Sequence, residues 1–281
     1  MLDFSNRNID KTLPCISISQ VLEQIQEPFD KIGVSEKVYK KYFDDPTSQY
    51  YQMTPEEIRK QWTKKGDKAK SYGRLLDSYI GLLSEHNFEN NELIEKFKTT
   101  CNTNNDKHIV DLFESFDNFK NTTNIFDKFD FETREKTVYY RLENTKYDSE
   151  DLFPVNQYFY IKGRFDALLR HKNTGKWLII DWKSSGSIDK EPNQFTKNLY
   201  GPADKFYALN WYTYTLQLHF YKKALIESRY LPEGTTDNDV AVKIVQLPGK
   251  IYNVESEAFK YNSKIMDKIF KFAWEKKNLL K

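Results

Sequence analysis

Apolar and polar residues along this chain change period several times, and each change marks an element. Positions 17–27 and 34–43 place Val21, Ile25 and Phe29, then Val38, Tyr39 and Phe43, at helical spacing. Thr54-Pro55-Glu56-Glu57 then joins an N-cap threonine, a proline at the first helical position and a capping-box glutamate. The helix it opens runs to about Leu83, with or without a break at Gly66. Two more helices are predicted between 90 and 120, on either side of the polar Asn102–Lys107 segment. Asn121–Asp130 reads as a linker, Lys136–Leu142 as a first strand with Glu135 just before it, and Asn144–Asn156 as a long acidic connection.

From Ile161 to Ser185 the period becomes two. Phe159, Ile161, Phe165, Ala167 and Leu169 share one face of a first strand, leaving Arg164 and Asp166 on the other. In a second strand Leu178, Ile180 and Trp182 oppose Trp177, Ile179, Asp181 and Lys183. Lys172-Asn173-Thr174-Gly175 has the composition of a four-residue hairpin loop. If His171 faces Lys176 across it, the register sets Asp166 opposite Asp181. Carboxylates about 5 Å apart repel unless a cation lies between them. A hard divalent cation would relieve that repulsion and leave coordination positions for water, with Lys183 beside it to orient one. The alternative is a half-buried salt-bridge cluster of Asp166, Asp181, Arg164 and Lys183.

Downstream, Ser184–Lys205 is polar and punctuated by glycine and proline, a loop in which Asn193, Lys197, Tyr200 and Lys205 could touch a polynucleotide. Ala208–Ser228 is helical, and Asn210, Tyr214, Gln217 and Tyr221 form one stripe, either packed on the sheet or reading nucleic acid. Asp239–Leu247 and Ile251–Glu255 form a hairpin around Pro248-Gly249-Lys250. A last helix, roughly Glu257–Lys277, sets Ala258, Tyr261, Ile265, Ile269 and Phe272 at core spacing.

Composition narrows the class. With 281 residues, 30% charged and 39% hydrophobic, and with no apolar run near the ~20 residues of a membrane span, a soluble globular protein is expected. The N-terminus lacks a secretory pattern, so a cytoplasmic setting is expected, the host cytoplasm for a viral protein. Cys15 and Cys101 have no ligand spacing, and neither do the four histidines. A net charge of +2 does not announce a nucleic-acid binder. The helix opened by Thr54 is nevertheless basic, with Arg59, Lys60, Lys64, Lys65, Lys68, Lys70 and Arg74 against Glu56, Glu57 and Asp67. It is either a solvated face or a surface that follows phosphates.

Taken in order, Gly73-x-x-x-Asp77, Gly163-x-x-Asp166, Asp181-x-Lys183 and Gln217-x-x-x-Tyr221 resemble the motifs of the PD-(D/E)XK nucleases, in particular the RecB-like exonuclease branch with its phage and plasmid members. The resemblance implies an α/β (α+β) fold with a central mixed β-sheet flanked by helices. It implies a helical N-terminal region, 1–130, carrying the first motif on a restriction-endonuclease-like core, 131–281. It further implies Mg²⁺ or Mn²⁺ held by Asp77, Asp166, Asp181 and the Trp182 carbonyl. Lys183 would position and deprotonate the attacking water, and Arg74, Arg164, Ser184, Gln217 and Tyr221 would contact DNA. The branch usually has histidine where Asp77 stands, although an aspartate oxygen suits magnesium well.

The expected activity is that of a metal-dependent deoxyribonuclease acting on DNA with free ends in recombination, repair or replication, alongside recombination or replication proteins. The alternatives are a catalytically silent DNA-binding or assembly protein and an endonuclease for RNA or structured DNA. Oligomeric state is left open.

Overall fold

The computed structural model describes residues 14–89, 91–101, 106–143, 158–184, 188–193, 196–247, 250–253 and 263–279. In chain order it contains β1 (Cys15–Ser17), α1 (Ile18–Gln24), α2 (Lys31–Tyr42), α3 (Pro55–Glu85), α4 (Glu92–Cys101), α5 (Lys107–Thr123), α6 (Ile125–Lys128), β2 (Phe129–Arg134), β3 (Thr137–Glu143), β4 (Tyr158–Arg164), β5 (Ala167–His171), β6 (Trp177–Lys183), α7 (Asn210–Glu227), β7 (Val240–Gln246), β8 (Lys250–Asn253) and α8 (Ser263–Leu279). The chain divides into two compact units: Pro28–Phe113, and the residues up to Glu27 together with those from Glu114 onward. β1 and the second half of α5 belong with the strands.

In the helical unit, α3 starts where the sequence predicts. Thr54 and Glu57 exchange hydrogen bonds, Thr54 N–H to Glu57 Oε2 at 2.8 Å and Glu57 N–H to Thr54 Oγ1 at 3.3 Å. α3 runs through Gly66 without a break. One mid-helix glycine costs about 1 kcal/mol relative to alanine, less than the strong helix formers around it and the anchored ends supply. Leu76, Tyr79, Ile80 and Leu83 bury one face of its C-terminal half, where Tyr79 meets Phe113 at 4.5 Å and Phe97 at 6.2 Å.

In the other unit the expected mixed α/β architecture is present, as two mixed sheets flanked by helices. A three-stranded sheet, β1-β4-β3, has β1 parallel and β3 antiparallel to β4. A five-stranded sheet, β2-β5-β6-β7-β8, is antiparallel except for the parallel pair β6 and β7. β6 is covered on both faces, which accounts for its unbroken apolar run Leu178-Ile179-Ile180. On one side Ile179 joins the core built with Leu216, Phe220 and Ala224 of α7. On the other, Trp182 meets Phe116 and Phe119 of α5 edge-on at 5.4 and 5.6 Å. α8 closes the core with Met266, Ile269, Phe270 and Trp274, the last stacked on Phe159 at 4.7 Å.

Two expectations are corrected. The stretch Asn121–Asp130 is not a linker: α5 continues to Thr123, Asn124 takes a left-handed turn (φ 47°), and α6 leads into β2. Asparagine tolerates that conformation, and buried Ile125 anchors the short helix. Nor is Ile161–Leu169 one strand, since β4 and β5 belong to different sheets. β3 pairs with β4 and β2 with β5, so the two-stranded ribbon crosses between sheets at Phe165–Asp166. There Glu135 N–H donates to the Asp166 carbonyl at 3.1 Å and Phe165 N–H to the Lys136 carbonyl at 3.3 Å. Glu135 adopts φ 48° to make the corner. Asn144–Asn156, Pro248-Gly249, Ala258 and Tyr261 lie outside the described residues.

Candidate active site

The ladder between β5 and β6 pairs Ala167 with Ile180, Leu168 with Ile179, Leu169 with Leu178 and Arg170 with Trp177. It closes through His171 N–H to the Lys176 carbonyl at 2.8 Å, with Gly175 at φ 69° ending the turn. Asp166 is the residue just before this ladder begins, and Asp181 the residue just after Ile180, the partner of Ala167. Asp166 stands at the corner, where the chain leaves the three-stranded sheet. Its Oδ2 accepts the Trp182 backbone N–H at 2.8 Å, so a group beside Asp181 orients the Asp166 carboxylate.

Asp181 is only 3% exposed. Its Oδ2 lies 2.5 Å from Lys183 Nζ, an ion pair outside hydrogen-bond geometry. Burial works against the Lys183 ammonium, but the Asp181 and Asp166 carboxylates outweigh it and hold its pKa above the ordinary lysine value. Lys183 Nζ also sits 4.3 Å from the centre of the Tyr214 ring, a contact that fixes the lysine against α7.

α7 can approach this closely because of Gly163. A Cβ there would come within 2.6 Å of both the Phe220 and Tyr221 rings. One turn earlier on α7, Gln217 Nε2 donates to Tyr221 Oη at 2.7 Å. Burial, then the Asp181 and Asp166 carboxylates, push the Tyr221 phenol above its ordinary pKa and keep it neutral. Gln217 and Tyr221 therefore form a neutral, hydrogen-bonded wall toward the aspartates.

Asp166, Asp181, Trp182, Lys183, Gln217 and Tyr221 thus gather in one unit. Arg164 is exposed at the edge of the corner, with its guanidinium 3.6 Å from Glu135. Ser184 follows Lys183 and is half-buried; its neighbour Ser185 lies outside the described residues. Asp77 and Arg74 lie on α3 in the helical unit, half-buried and exposed respectively. Lys197 pairs with Glu27, and Tyr200 is held by its N–H to the Ile25 carbonyl at 2.7 Å. Asn193, Lys205 and Asn210 are exposed. Sequence reasoning missed Glu135 as a corner residue. Its position in the turn between β2 and β3 is hidden when no strand is assigned over 129–134.

Among the described residues no three His, Cys, Asp or Glu side chains cluster as a ready-made metal site. The local chemistry still fits a hard divalent cation. Asp181 Oδ2 is buried with the Lys183 ammonium against it, and the Asp166 carboxylate is held beside the same strand by the Trp182 N–H. Magnesium is commonly held by one or two carboxylates, with water and substrate phosphate completing the shell.

No curated protein sequence matches the chain. Among solved structures, the crystal structure of a "Putative exonuclease" from Eubacterium rectale is similar over 91% of this chain and 85% of that one, at 13% identity and a TM-score of 0.38. At that level the likeness bears on neither fold nor activity. The sequence model of the PD-(D/E)XK nuclease superfamily matches residues 46–277, a span that includes the corner aspartate, the Asp181-x-Lys183 strand and the Gln217-x-x-x-Tyr221 helix. The chain belongs to the PD-(D/E)XK nuclease superfamily.

Proposed function

We propose that this chain is a divalent-metal-dependent DNA nuclease of the RecB-like exonuclease branch, removing nucleotides from DNA ends in recombination, repair or replication. The observation that carries this reading is the Asp166 carboxylate tied to the Trp182 N–H beside Asp181, with Lys183 against the Asp181 carboxylate. Asp166 and Asp181 would hold Mg²⁺ or Mn²⁺, and the bound ion would neutralise charge gathering on the phosphate oxygens. The Trp182 N–H fixes the Asp166 carboxylate in the required orientation. Lys183 presents a donor that orients the attacking water toward phosphorus. Gln217 and Tyr221 keep the wall neutral and offer hydrogen bonds to the DNA backbone, and Arg164 and Ser184 flank the scissile phosphate. The further roles of Asp77 as ligand, Arg74 as DNA contact and the Trp182 carbonyl as ligand rest on motif order alone.

The test uses end-labelled linear DNA and a circular single strand, each with Mg²⁺ or Mn²⁺. Metal-dependent shortening of the linear substrate, with the circle left intact, supports the exonuclease. Cutting of the circle would replace it with an endonuclease. DNA bound but never cut would favour a silent binding protein, with aspartate in place of the branch's usual histidine at position 77 as the first residue to suspect.

A further inference from the structure

The middle of α3 has no counterpart in the proposed chemistry. Every residue from Thr63 to Ser71 is exposed, so for nine residues the helix is wetted on all sides. Such a helix segment is normally a weak element, because most helical stability in proteins comes from packing an apolar face. Here it is held by its ends. The Thr54 and Glu57 cap and buried Ile58 fix one end, and Leu76, Tyr79, Ile80 and Leu83 fix the other. The result is a continuous helical segment, held at both ends, with no apolar side to cover.

Its surface is cationic out of proportion to the chain. From Glu56 to Arg74 there are seven lysines and arginines against three carboxylates, a local charge of +4 in a protein whose total is +2. Lys60, Lys64 and Lys68 follow one another at four-residue intervals, a rise of about 6 Å each. Lys65, Lys70 and Arg74 spread the charge around the rod. Two of its ion pairs are exposed, Lys60 with Glu56 at 2.9 Å and Lys70 with Asp67 at 3.6 Å, while Lys68 reaches the half-buried Asp106 at 3.1 Å. Exposed pairs of this kind contribute little and exchange readily for a phosphate.

We infer that the exposed middle of α3 is a second nucleic-acid binding surface, following the phosphate backbone without reading bases. The inference rests on the nucleic-acid substrate proposed above and adds to it a surface built from the helical unit alone. Its occupant is the polyanionic backbone, since a row of exposed ammonium groups recognises charge and spacing.

The experiment measures binding of the full chain to fluorescein-labelled single-stranded and duplex oligonucleotides, with EDTA present so that cleavage is off. The triple variant K64Q/K65Q/K70Q should bind about tenfold or more weakly at low salt. The slope of log K against log salt should fall by about 2 to 3, the loss of three phosphate contacts. The variant K64R/K65R/K70R should keep the wild-type affinity and slope. Unchanged binding by the glutamine triple, equal loss in the arginine triple, or a wild type that binds neither oligonucleotide would overturn the inference. If the glutamine triple misfolds, the single K64Q carries the test, with a slope change of about 0.7 to 0.9. The two proposals fail separately. A wild type that binds with this slope but cuts nothing sinks the nuclease and keeps the surface, and a cutting wild type with an unaffected glutamine triple does the reverse.

Discussion

The backbone N–H of Trp182 donates to Oδ2 of Asp166 across the hairpin at 2.8 Å. The strand that carries Asp181 and Lys183 thereby also aims the Asp166 carboxylate. Asp166→Asn preserves an oxygen that can accept this bond while removing the charge. The variant should fold with a melting temperature within a few degrees of wild type and cleave DNA at least about 100-fold more slowly, the scale of losing one preorganised electrostatic group. Melting and single-turnover cleavage measured side by side check both halves.

Lys183 touches Asp181 on one side and the Tyr214 ring on the other. Lys183→Ala removes the donor and leaves Asp181 buried without its cation. Cleavage should fall by roughly 10²- to 10³-fold, and the protein should lose stability in metal-free buffer. Added Mg²⁺ should restore more stability to the alanine variant than to wild type, which thermal melts with and without metal will show.

Gly163 leaves no room for a methyl group beneath Phe220 and Tyr221. Gly163→Ala should cost about 1 to 3 kcal/mol, the usual cost of overpacking a core. Cleavage by the surviving folded fraction should drop as well, because α7 carries Tyr214, Gln217 and Tyr221 away from the hairpin. Urea unfolding together with activity per folded molecule separates the two effects.

His219 is buried on α7, and its burial, with Lys222 next, depresses its pKa from 6.5 to about 4. The folded state resists protonation that the unfolded state accepts. Its contribution is therefore fully present above about pH 6.5 and is lost as pH falls toward 4, reaching about 3 kcal/mol at the bottom of that window. Replacing His219 with phenylalanine should flatten the acid limb between pH 6.5 and 4, as followed by urea unfolding at each pH.

The parts of the fold readable in the sequence were those governed by neighbours along the chain. The loop from Lys172 to Gly175 dictates the register of β5 and β6, and the Thr54 cap dictates where α3 begins. What could not be read depends on distant partners. β1 is three residues long and exists because it pairs with β4, more than 140 positions away in sequence. The crossing at Phe165–Asp166 looks like uninterrupted alternation until the partner turn at Glu135 is known. Lys222 and Lys223 are buried, because Asp237 and Asp267 come to them from elsewhere in the fold and Glu227 from one turn along α7.

The same distinction applies to the site. Local spacing sufficed to set Asp181 beside Lys183 and Gln217 beside Tyr221. The Trp182 contact to Asp166 and the Tyr214 contact to Lys183 required the sheet and α7 to be in place.

The central claim is that Asp166 and Asp181, with Lys183, hydrolyse phosphodiester bonds with the help of a divalent cation. Its most direct test is release of acid-soluble nucleotides from uniformly labelled linear DNA by wild type and by Asp181→Asn, each with Mg²⁺ and with EDTA. Release by wild type in Mg²⁺ alone, and none by a folded Asp181→Asn protein, is the predicted result. Release that persists in EDTA, or in the Asp181→Asn variant at the wild-type rate, would contradict it.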